Sequence, residues 1–400
     1  MHVPYYCIDN FLNPFDNAIH FMLREKIVFT ISDKIPVFSE ENDSQSHQVL
    51  RKLLARPSTD FVNNVKTKIN VLSFENDAWA LTINEKEYDN ALICSPYTTY
   101  VTYPLDELKK FSKIWIKSLV LLNTGIMAIV CRMTKFNQVV QVNNNLNSLI
   151  KHPEIFVKQI QGITQKIVQH YPKHAINFFR VNEVLDSALL TALADAGYLV
   201  FPDRSAHVFF ADQDFIKRSH TKRDLALLKK TDYQIVMHEE LISDDAERFA
   251  QLYRQLFIDK HSKHNPIYTA DYFREAIKNH WHHYTAMRNA EGQIDAFISW
   301  FEKENRMICG PLGYDSEVDR KMGLYRQLVA LCLKHANENQ IVFNMGGGSD
   351  EFKINRGSRQ TMEYVAVYCQ HLPFYRQIPW RIMHWACNKL LKKIVDESAL

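Results

Sequence analysis

The segment that most narrows the fold runs from residue 306 to residue 338. An apolar stretch, RMICGPLGY, stops at Tyr314, a short polar loop crosses, and a helical pattern starts near Met322 with Gly323 in its first turn. A strand that feeds a helix across so short a loop aims the helix's free N–H groups and positive dipole end at that loop. Such an end can hold a pyrophosphate. Arg320, Gly323 and Tyr325 make an R-x-x-G-x-Y pattern there. Glycine lets the backbone approach a phosphate and arginine brings charge, although a plain strand-to-helix turn accounts for the pattern equally well. A strand over residues 341–345, a Gly-rich loop and the strand MEYVAVYC complete the unit.

Strand and helix signals alternate through the rest of the chain. Buried strands are expected at ALIC (residues 91–94), IMAIVC (126–131), residues 139–142, AINFFRV and HVFF (207–210). Pro153 opens a helix with Phe156, Ile160, Ile163, Ile167 and Tyr171 on one stripe. Asn182 caps another, which carries Leu185, Leu189, Leu190 and Leu193 inward and ends at Gly197. Helices over residues 244–260 and 269–281, the second capped by Thr269, precede a hairpin of HYTAMR and IDAFISWFE joined by NAEG.

At 400 residues, two or three domains are expected rather than one. A composition of 46% hydrophobic and 23% charged residues excludes collagen-like, low-complexity and mainly disordered chains. The net charge of +3 is too small for a global nucleic-acid coat, so any basic site is local. No repeat of 20 to 50 residues is visible, which sets solenoids and propellers aside. Residues 1–88 say least, beyond a polar stretch, SEENDSQSHQ, that reads as an exposed loop.

Read together, the second half of the chain resembles the GNAT superfamily of N-acyltransferases, in its FemAB-like and BioF2-like branch. Five pieces carry the resemblance, in order: Gly313-Tyr314-Asp315, Gly323-Leu324-Tyr325-Arg326, NMGGG at residues 344–348, Phe352-Lys353 with Arg356-Gly357, and Glu363-Tyr364 through Tyr368. Tyr325 stands where the GNAT phosphate loop has a small residue. A looser likeness reaches SPYTTYVTY and KRSHTKRDLALLKK, covering roughly residues 90–385. The resemblance implies an α+β fold of mixed sheets, with two tandem GNAT-like lobes packed side by side, a cleft between them and an extra N-terminal segment. The expected division is an N-terminal segment (1–88), a first lobe (89–212), a basic connecting helix (213–232), a catalytic second lobe (233–376) and a C-terminal amphipathic helix (377–400).

The implied activity is transfer of an acyl group from acyl-CoA, acetyl-CoA included, to an amine on a small molecule or peptide. The rivals are an aminoacyl-tRNA-dependent transferase, since FemAB relatives take their donor from aminoacyl-tRNA, and a non-catalytic ligand- or partner-binding protein. Arg320, Gly323, Leu324, Tyr325, Arg326 and Arg356 are the expected cofactor-binding residues, and Lys353, Glu363, Tyr368 and His261 the catalytic ones. Lys353 would stabilise developing negative charge and Arg356 hold a phosphate or carboxylate, with pairing to Glu351 or Asp350 as the structural alternative. Glu363 is the candidate carboxylate for the amine proton, and Tyr364 or Tyr368 the candidate acid. Because strand residues alternate, Glu363 faces away from both tyrosines unless the strand bulges. His261, in KHSKHNP, is the candidate acceptor-side base.

No metal is expected: seven scattered cysteines form no CxxC pair, and His261, His264, His280, His282 and His283 are accompanied by no HExxH. The start lacks a secretory pattern and the most apolar window is too short to span a bilayer, so a cytoplasmic protein without a transmembrane segment is expected. DNA is not an expected partner. Lys217, Arg218, Lys222, Arg223, Lys229 and Lys230 form a basic helix that reads as a solvated face, with an anion track for CoA or tRNA as the alternative. Trp380, Met383, Cys387, Leu390 and Ile394 mark a C-terminal amphipathic helix that docks on its own domain, or else lies on an anionic membrane.

Overall fold

The computed structural model describes residues 29–39, 44–107 and 114–398. Its strands are β1 (Thr30–Ser32), β2 (Lys68–Phe74), β3 (Asp77–Asn84), β4 (Val139–Val142), β5 (Ala175–Asn182), β6 (Leu199–Phe209), β7 (Gln234–Met237), β8 (His283–Arg288), β9 (Ile294–Lys303), β10 (Arg306–Tyr314), β11 (Val342–Gly346) and β12 (Ser358–Tyr368). The helices are α1 (Gln45–Ala55), α2 (Ser58–Phe61), α3 (Tyr103–Glu107), α4 (Ile114–Met133), α5 (Ile155–His170), α6 (Ser187–Asp195), α7 (Ser219–Lys229), α8 (Asp245–Tyr253), α9 (Ala270–Lys278), α10 (Leu324–Glu338), α11 (Asp350–Ile354) and α12 (Phe374–Ser398).

All twelve strands join one mixed sheet in the order β1-β2-β3-β4-β5-β12-β6-β11-β10-β9-β8-β7. Adding six to each strand number, cyclically, turns that order into its own reverse. The chain is therefore two copies of one plan: four antiparallel strands, a helical crossover to a parallel fifth, and a sixth strand exchanged with the other lobe. The crossovers correspond, since α5 joins the parallel pair β4 and β5 and α10 joins the parallel pair β10 and β11. This is the two-lobed α+β fold that the resemblance implies. The exchange puts β12 between β5 and β6, and β6 between β12 and β11, so each lobe is completed by the other's last strand. Residues 30–84, on which the sequence says little, supply the first three strands.

Periodicity explains the helices that cover the sheet. Phe156, Ile160, Ile163 and Ile167 of α5 and Leu189 and Leu193 of α6 bury on Ile176, Phe178 and Val181 of β5. Leu324, Leu328, Cys332, Leu333 and Ala336 of α10 bury in the same way on Met287, Ala296, Ile298 and Phe343. A third cluster spans both lobes, joining Val71, Phe179 and Phe201 to Phe249, Phe273 and Phe297. Thr269 caps α9 by accepting from the Tyr272 N–H, and Gly197 ends the α6 turn at φ +84°, both as the sequence predicts.

Three expectations are corrected. ALIC is a buried turn followed by the start of a helix, with Ser95 and the Tyr97 N–H both bonded to Asn137. IMAIVC lies inside α4, because the periodicity of so short an apolar run does not distinguish a helix from a strand. The stretch SEENDSQSHQ is not loop throughout: Ser44 caps α1 and the helix starts at Gln45.

Candidate active site between the lobes

Where the two lobes meet, the sheet opens into a cavity of about 930 Å³. Its wall is built by irregularities in the strands. Along the β5–β12 ladder the register slips between Tyr364 and Ala366, and along β6–β12 between Glu363 and Tyr364. Counting partners places the extra residue on β5 near Arg180 and on β6 at Asp203. A bulge turns a side chain out of the regular alternation. Here two bulges bring Arg180, held at φ +60°, against Asp203 in an ion pair whose members are both buried. Left-handed backbone is costly for a non-glycine residue and persists only where its surroundings enforce it.

Arg204, next in β6, donates from Nε to Glu363 at 2.8 Å, and Glu363 also lies 3.8 Å from Arg180. Two guanidinium groups and two carboxylates thus balance one another, with Arg180, Asp203 and Arg204 in the wall and Glu363 behind it. A buried charge without such partners would be prohibitively costly. The Arg204 terminal nitrogens donate to no protein acceptor among the described residues, and its side chain is 31% exposed. Tyr100 donates to Asp203 at 3.4 Å, and burial holds its phenol well above the usual range.

The floor is the loop that follows β11. Lys353, buried in α11, donates to the carbonyl oxygens of Met345, Gly346 and Gly347 at 3.0, 2.9 and 2.9 Å. Burial lowers its ammonium to about 8. The loop passes so close to β6 that a Cβ on Gly347 would stand 2.8 Å from the Ser205 carbonyl oxygen. Tyr314 and Tyr325 close one side, with Tyr325 packed on Phe352 at 4.8 Å and its phenol pushed up by burial. Tyr253, Leu256, Phe257 and Tyr268 make an apolar wall, and His261 stands exposed at the rim.

Of the predicted site residues, three line this cavity: Lys353, Tyr325 and His261. Lys353 spends its three hydrogens on the loop, so it shapes the floor and has none left for an oxyanion. Glu363 is fully buried behind the wall, where it clamps Arg204 and Arg180 instead of taking a proton from a substrate. The bulges lie in β5 and β6 and leave Glu363 facing away from the cavity. Tyr368 packs on Tyr198 and His371 at the far end of β12 and does not line the cavity.

The expected pyrophosphate corner is engaged by protein. Gly323 adopts φ +63° as the cap of α10, and a Cβ there would meet Leu227 of α7 at 2.8 Å. Arg326 and Arg356 both donate to the buried Asp224 of α7, at 2.7 and 2.6 Å, and Arg356 also covers the Phe352 ring. Leu324 is core, and Arg320 is exposed on the turn before the helix. None of these five lines the cavity. The residues that sequence reasoning missed are Arg180, Asp203 and Arg204. A signal was present for two of them: an adjacent acid–base pair, with a proline before it, interrupts the apolar pattern of LVFPDRSAHVF.

No family model matches the chain, and no curated protein matches it. Among solved structures it is similar to L-PGS from Bacillus licheniformis, at 14% identity and a TM-score of 0.44, over 64% of this chain and 83% of that one. It is similar to FemX at 11% identity and a TM-score of 0.43, over 56% and 78%. A tandem GNAT protein from the clavulanic acid biosynthesis pathway gives 11% and 0.37, over 59% and 76%. At these identities the likeness is one of fold alone.

Proposed function

We propose that this chain is an acyltransferase that joins an acyl group to an amine in the interlobe cavity, with the acyl group delivered as an ester on the end of a tRNA. The observation that carries the reading is the cavity wall, where the uncommitted terminal nitrogens of Arg204 and the Asp203 carboxylate stand beside a glycine floor. Acyl transfer to an amine needs a neutral nucleophile, a donor held at attack distance and cationic or N–H donors for the tetrahedral oxyanion. Arg204 supplies the donors. Asp203 draws the acceptor amine in and takes the proton it sheds on attack, and the leaving alkoxide is protonated from solvent at the open mouth. Lys353 fixes the floor by gathering its carbonyl oxygens, and Glu363 fixes Arg204.

The state of the Gly323 corner favours this donor over acyl-CoA. Leu227 stands over the glycine, and Asp224 holds both arginines that would grip a diphosphate. An aminoacyl ester needs no such grip inside the cavity. The outer face of α7 supports the same choice, since Lys222, Arg223, Lys229 and Lys230 are all exposed there, a local basic track on a nearly neutral chain.

The test offers the full chain labelled aminoacyl-tRNA, or labelled acetyl-CoA, with a panel of primary amines. Transfer from the tRNA is expected, with binding that weakens steeply as salt rises. Arg204→Lys, which keeps the charge opposite Glu363 but loses the planar fork, should slow transfer about a hundredfold with an unchanged melting temperature. Turnover from acetyl-CoA alone would move the donor to CoA. Transfer from neither, with ligand binding retained, would make the chain a binding protein.

A further inference from the structure

Of the large apolar side chains exposed among the described residues, four belong to α4 and five to α12, nine of the fifteen in all. They are not scattered. On α4, Leu121, Ile126, Ile129 and Met133 fall within one stripe, with Ile129 at 63% and Met133 at 75% exposure. On α12, Phe374, Ile378, Ile382 and Trp385 recur at spacings of 4, 4 and 3, which is again one helix face. This is not the face by which α12 docks. Trp380, 1% exposed, stacks on Phe136 at 4.0 Å, and Met383 and Cys387 pack on the cluster shared by the lobes. The helix is therefore apolar on two sides, and among the described residues only one is covered. Arg376 of α12 donates to the carbonyl oxygens of Thr134 and Lys135, which ties the start of α12 to the end of α4.

The charges say what would cover the second side. The sequence of α4 contains Lys117 and Arg132 and no acidic residue. That of α12 contains, beyond the buried Arg376, Arg381, Lys389, Lys392 and Lys393 before its first acid, Asp396. Lys389 lies over the Trp385 ring at 5.0 Å, so an exposed indole carries a cation on its face. Exposed aromatic and aliphatic residues flanked by charge of one sign fit the boundary layer of an anionic bilayer, where the rings bury and the cations meet phosphate. Among the described residues no helix is long and apolar enough to cross a membrane.

We propose that the outward faces of α4 and α12 form a docking surface for anionic phospholipid bilayers, and that the protein attaches there peripherally. The attachment goes beyond the transferase reading and does not rest on it. The test sediments the full chain with vesicles of phosphatidylcholine and of phosphatidylcholine mixed with phosphatidylglycerol. Binding to the mixed vesicles and release by salt are expected. Ile382→Glu with Trp385→Glu should weaken the partition at least about tenfold, and Ile129→Glu alone should weaken it in the same direction, with melting temperatures unchanged because all three side chains are exposed. Absence of vesicle binding by the parent, or equal binding by these variants, would overturn the proposal. So would a parent dimer that both variants convert to monomer without a loss of vesicle affinity, since a second copy would then be what covers the stripe.

Discussion

His282 shows how a single buried side chain couples this fold to acidity. It is 3% exposed, its Nε2 lies 2.9 Å from the Tyr272 hydroxyl, and its Nδ1 has no partner among the described residues. Burial lowers it from 6.5 to about 3. Between those values the unfolded chain holds a proton that the folded one refuses, so stability falls as pH drops below 6.5 and goes on falling towards 3. The slope is at most about 1.4 kcal/mol per pH unit for one such group. His152, His174, His207, His238, His264, His371 and His384 are lowered as well, chiefly by burial, and add to the same slope. Denaturant unfolding at pH 7 and pH 5 should show His282→Gln losing less stability than the parent. Equal losses would mean that the imidazole is charged in the native state.

Among the elements, α7 bears most on the site, because it holds the entrance of α10 through one carboxylate. Asp224 is 1% exposed and accepts from Arg326 and from the buried Arg356. Removing one member of such a pair leaves a buried charge uncompensated. Asp224→Asn should therefore cost about 3–5 kcal/mol in denaturant unfolding and raise amide exchange along α7; a cost below about 1 kcal/mol would show that water already reaches Arg356. The sequence made α7 legible as a helix with a basic side, α5 and α6 legible from their apolar periods, and α9 from its Thr269 cap. It left its role unread, since what Asp224 touches lies 102 and 132 residues further along the chain. The candidate site was hidden for a similar reason. Arg180 and Asp203 meet only because two strands bulge, and a bulge is set by cross-strand register that no local pattern records. Lys353 was found as a residue but not in its role, because its partners are backbone carbonyl groups.

For the molecule as a whole, the exchanged strands predict one cooperative unit. Without β12, the neighbours β5 and β6 are separated by a gap one strand wide and the row of hydrogen bonds between them is unmade. A chain of residues 1–212 expressed alone should give no cooperative thermal transition, whereas the full chain should melt in a single one; an independently melting first half would show that β5 and β6 can close on each other. The order of synthesis then acquires a meaning of its own. The strand that fills this gap is the last of the twelve to be translated, so a nascent chain carries β5 and β6 unjoined until β12 has been made. Until then two strand edges stand open to other partners, a consequence of where one strand sits.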